Sequence, residues 1–205
     1  MSDHTVTSIA QLEALYGLPA GAAVWKEIDH ISPEYGTFIE KAPFFALATS
    51  GPEGVDVSPR GDDPGFVRIA DPKTLMIPDR RGNNRIDSLR NIVRDPRVSL
   101  LFLIPGIGET IRVIGKAAIN TDPALAETFI FAGKTPKSVI VVTVESVYFQ
   151  CSKAIIRSKL WDPSRIIDRS TLPSNGTVLA AITKGKEGGA AYDEAYPERL
   201  KATIY

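Results

Sequence analysis

Residues 43–61 read PFFALATSGPEGVDVSPRG, and this stretch decides the fold class. Its apolar run at 44–50 and its β-branched run at 55–59 flank a Gly-Pro-Glu-Gly sequence, a pattern that predicts two strands joined by a tight turn. Short apolar runs bounded by Gly, Pro and Asp continue along the chain. They predict six further strands, at 66–69, 74–77, 98–104, 111–119, 138–144 and 148–155.

Helical spacing interrupts these strands at only two places, residues 84–94 and 122–132. A doubly wound parallel sheet needs a helix between nearly every pair of strands, so the close spacing of the strands favours an antiparallel barrel. We therefore predict a mainly β chain with peripheral helices, of the α+β class, whose barrel domain spans residues 43–162.

The two ends of the chain have a different texture. Residues 1–42 form the expected N-terminal helical lead-in, in which apolar residues are spaced by three and four positions. The first of these are Ile9, Leu12, Leu15 and Tyr16. Residues 163–205 are broken by Gly and Pro, so we expect an ordered but irregular C-terminal extension that packs on the barrel domain.

The composition excludes several classes of protein. The 24 basic and 24 acidic residues cancel, so bulk charge cannot hold nucleic acid or an acidic membrane. No apolar stretch approaches the roughly 20 residues that cross a bilayer as a helix, and the N-terminus lacks the features of an export signal. We expect a soluble cytoplasmic protein.

The cysteine and histidine content limits the chemistry further. The single cysteine, Cys151, allows no internal disulfide, and with His4 and His30 it falls short of a three- or four-ligand zinc set. We expect no metal site, and we expect Cys151 to lie in a buried strand. Two widely separated histidines also leave little scope for hydrolysis by a nucleophile with a histidine base.

Arginine is concentrated in one part of the sequence. Residues 1–59 hold two lysines and eight acidic residues, a net charge of −6, whereas residues 60–112 have a net charge of +3. No arginine precedes Arg60, and six arginines then fall within residues 80–97. Any anion-binding site is therefore expected to be local and to lie in this region.

Residues 78–90 read PDRRGNNRIDSLR and lie between a predicted strand and a predicted helix. The N–H groups at a helix start carry partial positive charge, so arginines placed there are unfavourable unless an anion lies between them. Guanidinium groups bind phosphate oxygens through paired hydrogen bonds, each worth about 1.5–3 kcal/mol. The turn therefore predicts a phosphate site that uses Arg81 and Arg85, with Arg60 directed at it from a neighbouring strand.

The helix that follows this turn has an expected start and an expected buried face. Asn83 or Asn84 is the expected N-cap because asparagine side chains accept hydrogen bonds from the first free N–H groups. Ile86, Leu89 and Val93 are spaced to form the buried stripe.

An alternative without a ligand stays open for the same arginines. Asp79 and Asp87 stand close enough in sequence to neutralise them at the surface. For Arg90, Arg94 and Arg97 this alternative is the favoured one, and we expect a solvated helix face.

Four segments occur in a characteristic order: SPRGD at 58–62, PDRRGNNR at 78–85, DPRVSLLF at 95–102 and RVIG at 112–115. Together they resemble the pyridoxamine 5′-phosphate oxidase-like flavoproteins, which are FMN-binding split barrels. The similarity runs from about residue 38 to residue 161. It implies a split antiparallel barrel and an FMN cofactor.

The resemblance also implies which residues bind FMN. Its phosphate would be held by the strand-to-helix turn and an adjacent strand, which here supply Arg60, Arg80, Arg81, Gly82, Asn83, Asn84, Arg85 and Ser88. The family is usually a homodimer with flavin at the interface, and the segment of Glu109, Thr110 and Arg112 would approach the flavin from the partner. Residues after the last strand would also lie near the cofactor: Lys153, Arg157, Ser158, Lys159 and Trp161. Trp161 either covers a flavin face or plugs the core.

Departures from the family pattern limit the activity. No histidine follows His30, so neither pyridoxamine phosphate oxidation nor haem degradation is expected. Three functions stay open: an FMN-dependent oxidoreductase acting on an unidentified small molecule, a flavin-binding or sensing module without turnover, and a split barrel that uses a deazaflavin. Nucleic-acid binding is not expected, because no aromatic-rich strand face accompanies the arginines. No catalytic residue is identified from the sequence.

Overall fold

A computed structural model describes residues 4–205, which form seven strands and eight α-helices. The strands are β1 (Phe44–Gly51), β2 (Gly54–Gly61), β3 (Arg68–Asp71), β4 (Thr74–Pro78), β5 (Arg97–Leu103), β6 (Thr110–Asn120) and β7 (Val139–Gln150). The helices are α1 (Ile9–Tyr16), α2 (Ala22–Trp25), α3 (Pro33–Lys41), α4 (Asp87–Arg94), α5 (Pro123–Glu127), α6 (Lys153–Ser158), α7 (Asn175–Ile182) and α8 (Ala190–Thr203).

The seven strands belong to one sheet in the order β2-β1-β5-β6-β7-β4-β3. Every neighbouring pair is antiparallel, and β2 and β3 are the two edges. With the helices packed around it, this sheet has the α+β split-barrel architecture that the sequence predicts.

The hairpin of β1 and β2 shows why its sequence decides the fold. Phe45, Leu47 and Thr49 are buried at alternate positions of β1, as expected for a strand with one face on the core. The Phe45 ring stacks on Phe66 with centroids 5.8 Å apart and lies 5.0 Å from the ring of Phe102. Each such side chain contributes about 1.5–3 kcal/mol by leaving water, so this aromatic layer is a main source of stability.

One long strand replaces two predicted ones. The sequence predicts strands at 138–144 and 148–155, whereas β7 is continuous. Its pairing with β6 shifts register so that Glu145 has no partner on the facing strand, a bulge that bends β7 without ending it. The prediction of two strands is wrong because the polar residues at this bulge resemble a turn in sequence.

The sheet also ends earlier than predicted. β7 stops at Gln150, and the chain continues through a short turn into α6. Cys151 lies in that turn and is exposed, so the expectation of a buried strand cysteine is wrong.

The predicted helix at 122–132 is shorter in the structure, because α5 ends at Glu127. The Arg68 guanidinium donates to the carbonyl and the hydroxyl of Thr128 and lies 3.9 Å from the centroid of the Phe129 ring. These contacts hold the chain in a different direction immediately after the helix. Ala132 then takes a left-handed conformation, with φ of 47°, which a continuing helix does not allow.

Both ends of the chain, outside the barrel, contain helices. In the lead-in, α1 exposes Ile9, Leu12, Leu15 and Tyr16, whereas α3 buries Ile39 against the core. In the C-terminal extension, α7 and α8 pack as a helical hairpin, so the expectation of irregular structure is wrong there. Within residues 4–205, no helix has both the length and the apolar character needed to cross a bilayer.

Candidate functional site

A row of polar side chains lies along one face of β2. Asp56, Ser58 and Arg60 are partly buried, and they alternate with exposed Val55 and Val57. The strand register places Arg60 opposite the core residue Phe45, so this row lies on the core-facing side of the edge strand. α4 covers part of it through contacts with β1 and β2.

Two reciprocal ion pairs connect the ends of β2 and β4, which do not pair with each other in the sheet. Arg60 Nη1 lies 2.7 Å from Asp79 Oδ1, and Arg80 Nε lies 2.6 Å from Asp62 Oδ2. The Asp62 side chain is only 1% exposed and each arginine side chain is under 20% exposed. Partly buried charge pairs are costly to break, so these contacts fix the position of the end of β2 relative to the end of β4.

The same contacts separate Arg80 from the other candidate arginines. Arg80 Nη1 also donates to the Phe129 carbonyl at 2.8 Å, and the guanidinium lies 5.5 Å from the Phe131 ring centroid. Its Nε and one Nη1 hydrogen are thus used within the protein, and its guanidinium is held against an aromatic ring. Arg80 therefore supports the start of the turn, and a direct contact to a ligand stays a prediction.

Arg60 retains an unused donor. Among the side chains of residues 4–205, its Nε is the one buried nitrogen or oxygen without a hydrogen-bond partner. An unpaired buried donor costs about 1–3 kcal/mol, and such groups commonly mark a site for a ligand or water.

We call residues 79–87 the basic turn. Arg81, Gly82, Asn83, Asn84 and Arg85 are all exposed in it. Arg81 makes no ion pair or side-chain hydrogen bond within the described part of the chain, residues 4–205. The Arg85 guanidinium lies 2.7 Å from Asp87, and this contact raises the pKa of Arg85 above its ordinary value. One arginine is thus free, and one is paired at the solvent-exposed surface as the alternative without a ligand predicts.

The start of α4 differs from the prediction. The N-cap is Ile86, in a left-handed conformation with φ of 53°, and no side chain caps the helix. Asn83 instead accepts from the backbone N–H of Arg85 at 3.1 Å, and Asn84 has a φ of 60°. The expected asparagine cap is therefore wrong, because these residues shape the turn before the helix begins. The first N–H groups of α4 are left without a side-chain acceptor.

The buried face of α4 is also different from the expected stripe. Ile86 and Val93 are exposed and Leu89 is only partly buried, whereas Ser88, Asn91 and Ile92 are buried. The polar members have partners on the strands. Asn91 Nδ2 donates to Thr49 Oγ1 at 3.1 Å, and Ser88 Oγ is 3.5 Å from an Asp56 oxygen. The sequence-based stripe is wrong because α4 packs on a partly polar strand face.

The remaining candidate residues, which we call the second cluster, lie in the first part of β6 and in or after α6. Arg112 Nη1 donates to the Tyr148 hydroxyl at 2.9 Å, and Trp161 Nε1 donates to the Ile107 carbonyl at 2.8 Å. Thr110 is buried and Arg157 is exposed on α6.

The structure does not bring the second cluster to the basic turn within one chain. β1 and β5 separate β2 from β6, a distance of about 14 Å at the usual strand spacing. Arg112 also lies opposite Leu101, one position away from the row that contains Arg60, so the two arginines lie on opposite faces of the sheet.

The donors at the basic turn suit a phosphate dianion. They comprise the uncapped N–H groups of α4, the free Arg81 and the unused Nε of Arg60, whereas the buried Ser88 hydroxyl donates to Asp56. Phosphate binds well where guanidinium groups and a helix N-terminus converge. Sequence reasoning missed Asp62 as the partner of Arg80 and expected Asp79 to neutralise an arginine at the surface, whereas Asp79 pairs with the partly buried Arg60.

Comparisons with known proteins agree with this architecture. Residues 31–151 match the family model described as pyridoxamine 5′-phosphate oxidase. The sequence has no match among curated proteins.

Three solved structures are similar to the chain. HupZ of Group A Streptococcus is 21% identical, with a TM-score of 0.49, and the match covers 60% of this chain and 95% of that one. General Stress Protein 26 from Bacillus anthracis str. Sterne is 17% identical, with a TM-score of 0.43 and coverage of 55% and 88%. An FMN-binding protein from Syntrophomonas wolfei subsp. wolfei is 13% identical, with a TM-score of 0.44 and coverage of 56% and 82%.

Proposed function

The chain belongs to the pyridoxamine 5′-phosphate oxidase family, and from this premise we propose that it is an FMN-binding flavoprotein that acts as an oxidoreductase on a small molecule. Bound FMN would supply the redox chemistry, because its ring accepts and returns hydride or electrons. The protein would supply the phosphate anchor, the orientation of the ring and a space for substrate.

The observation that carries this proposal is the uncapped start of α4 beside unused arginine donors. Arg81 is free to bind phosphate oxygens, and Arg60 keeps its Nε available while Asp79 fixes its other end. The first N–H groups of α4 complete the set, and the Ser88 hydroxyl would join it by exchanging its Asp56 contact for the phosphate. Arg85 would join it by exchanging Asp87 for the phosphate, a small cost because this exposed ion pair is weak.

The rest of the cofactor would be completed by a second copy of the chain. Arg112 lies on the opposite face of the sheet from Arg60, so the arrangement we propose is a homodimer with flavin at the interface. Its partner would supply Thr110, Arg112, Arg157 and Trp161. Val55 and Val57 on the exposed face of β2 support an interface, because exposed apolar strand residues favour association. The expected cytoplasmic location stays a prediction.

The substrate that we propose is not the one in the family name. The chain has no histidine after His30, which argues against pyridoxamine phosphate itself. No described side chain has to act as an acid or base for the flavin to react, so the proposed activity rests on the cofactor and on the shape of the site.

The proposal is tested by purifying the protein from cells supplied with riboflavin, recording its visible spectrum and weighing the released chromophore by mass spectrometry. We expect a yellow protein that releases FMN at about one per chain. A colourless protein that takes up no added FMN contradicts the proposal, and uptake of a deazaflavin by that protein would redirect the assignment. Anaerobic reduction by NADH or NADPH then separates an oxidoreductase from a module that only stores or senses flavin.

A further inference from the structure

A cavity of about 480 Å³ lies between the N-terminal segment and the neighbouring ends of β6 and β7. It shares no residue with the basic turn. Aromatic side chains form its walls: Trp25, Tyr35, Phe38 and Phe149. We call it the aromatic pocket. Small-molecule sites commonly have this size, with mostly apolar walls and a few polar groups.

The side of the aromatic pocket formed by Tyr35 and Phe149 is held in place before any ligand binds. Ile28 and Val147 exchange two backbone hydrogen bonds of 3.1 and 2.8 Å, which fasten the N-terminal segment to β7. The Tyr35 hydroxyl donates to the Lys26 carbonyl at 2.7 Å, and its ring lies 6.4 Å from that of Phe149. A pre-organised pocket loses little entropy when a ligand binds.

The charge around the aromatic pocket favours a positive ligand. Glu34 and Glu109 contribute carboxylates to its lining, and Lys26 is the one lysine or arginine there. Hydrogen bonds from its own backbone N–H and from Ser32 lower the pKa of Glu34, so it is ionised at neutral pH. The lining therefore carries two carboxylates against one ammonium group. An anion would meet repulsion at this site, and a cation would meet attraction.

Lys26 shows that the aromatic wall attracts an ammonium group. Its Nζ lies 4.9 Å from the Phe149 ring centroid and 5.7 Å from that of Tyr148, both within cation–π range. Within residues 4–205, no carboxylate forms an ion pair with it. Trp25, at the same pocket, is 79% exposed and presents a second ring to an incoming ligand.

We propose that the aromatic pocket is a binding site for a small organic cation, an alkyl- or arylammonium compound, with the aromatic walls and the carboxylates of Glu34 and Glu109 as its recognition elements. The site goes beyond the proposed function, because it needs neither FMN nor turnover. Lys26 competes with the ligand for the aromatic face, and its positive charge opposes binding.

Calorimetric titration of the purified protein with benzyltrimethylammonium chloride and with sodium benzoate tests this site. We expect the cation to bind at least about tenfold more tightly than the anion, as expected for a cation–π site lined by carboxylates. Glu109→Gln and Glu34→Gln should each weaken cation binding by about two- to fivefold. Lys26→Met should strengthen it by a similar factor, because a like charge is removed while the carbonyl that Tyr35 contacts stays.

Matched control variants lie on α3 outside the pocket. Glu40→Gln and Lys41→Met make the same charge changes at exposed positions and should leave cation binding unchanged. Tighter binding of benzoate, abolished by Lys26→Met, would overturn the proposal in favour of an anion site. Binding of neither probe would also overturn the proposal. A decrease in the acrylamide quenching of Trp25 as the protein concentration is raised would overturn it too, since a second copy of the chain would then cover the pocket. Flavin content of the parent protein and of Glu34→Gln, which lies outside the segments expected to contact flavin, reports separately on the proposed function.

Discussion

Two eight-residue helices, α4 and α7, begin in opposite ways. At α7 the chain provides its own anion: Ser174 Oγ accepts from the N–H of Thr177 at 3.0 Å, and the Asp193 carboxylate accepts from the N–H of Gly176 at 2.8 Å. At α4 no side chain caps the helix, and the residue at its N-cap is the apolar Ile86.

The difference supports the proposed ligand site at the start of α4. Both helix starts present N–H groups with partial positive charge, but only α7 satisfies them from within the chain. At α4 the neighbouring arginines add more positive charge, and Asp87, the acidic residue in its first turn, is engaged by Arg85. We therefore expect a phosphate to stabilise the α4 start in the way that Asp193 stabilises the α7 start.

The largest expected effect comes from giving α4 an internal anion. In Ile86→Asp the new carboxylate stands at the phosphate site, and repulsion between like charges raises the Kd for FMN about 100-fold or more. Asparagine and aspartate both tolerate the left-handed conformation of this position, so circular dichroism should show an unchanged fold. Ile86→Asn is the matched neutral control. If both variants bind FMN equally, charge at the α4 start does not matter and the comparison fails.

The next effect concerns the free arginine of the basic turn. Arg81→Ala removes charged hydrogen bonds to phosphate, each worth about 1.5–3 kcal/mol, so the Kd for FMN rises about 10- to 100-fold. Riboflavin, which lacks the phosphate, should bind the variant and the parent alike. Arg90→Ala serves as control, because Arg90 is an exposed arginine on α4 outside the basic turn. An equal loss of affinity for FMN and riboflavin would show that Arg81 contacts something other than phosphate.

A smaller effect is expected at the capped helix. Ser174→Ala removes the N-cap of α7 and lowers the free energy of unfolding by about 1 kcal/mol, measured by chemical denaturation. FMN affinity should stay at the parent value, because the cap lies outside the basic turn. A change in FMN affinity without a change in stability would show that the two helix starts are not independent.

The cap at α7 also predicts that the stability of this helix depends on pH. Hydrogen bonds from Ser174 and from the Gly176 backbone lower the pKa of Asp193 below its ordinary value of 3.8. A lowered folded-state pKa contributes stability above the unfolded value, and this is lost as the pH falls through the folded value. Amide exchange in α7 should therefore accelerate relative to the barrel below about pH 3.8. Asp193→Asn should remove this dependence; its persistence in that variant would assign it to another group.

The smallest effect concerns the attachment of the C-terminal extension. The Tyr205 hydroxyl donates to Asp62 Oδ1 at 3.1 Å, and its ring lies 4.7 Å from that of Phe131. Tyr205→Phe keeps the ring contact and loses one hydrogen bond, so unfolding free energy should fall by about 0.5–1 kcal/mol. Tyr196→Phe is the control on α8. Equal values for both variants would show that the Tyr205 hydroxyl does not fasten the extension to the barrel.

The sequence predicts the barrel well because its signals are local. The alternation in β1 and the turn chemistry before β2 are read directly from residues 43–61, and the basic turn is recognised from its arginines and glycine. The reciprocal ion pairs are not predictable in this way, because Arg60 and Arg80 pair with aspartates across strands that are not neighbours in the sheet.

The prediction of where α4 starts is wrong for a related reason. Asparagines usually cap helices, so Asn83 and Asn84 are the natural sequence-based choice. In the structure both are used to shape the turn, and the helix starts later at a residue with no capping group. This departure from local preference coincides with the predicted ligand site, as expected where function competes with local stability.

The most direct test of the central claim is the ratio of the Kd values for riboflavin and FMN, measured by fluorescence titration of the flavin-free protein at fixed salt. If the α4 start and its arginines hold a phosphate, FMN binds about 100-fold or more tightly than riboflavin, from at least two charged hydrogen bonds. Equal affinities for the two flavins would contradict the phosphate site and leave the uncapped helix unexplained.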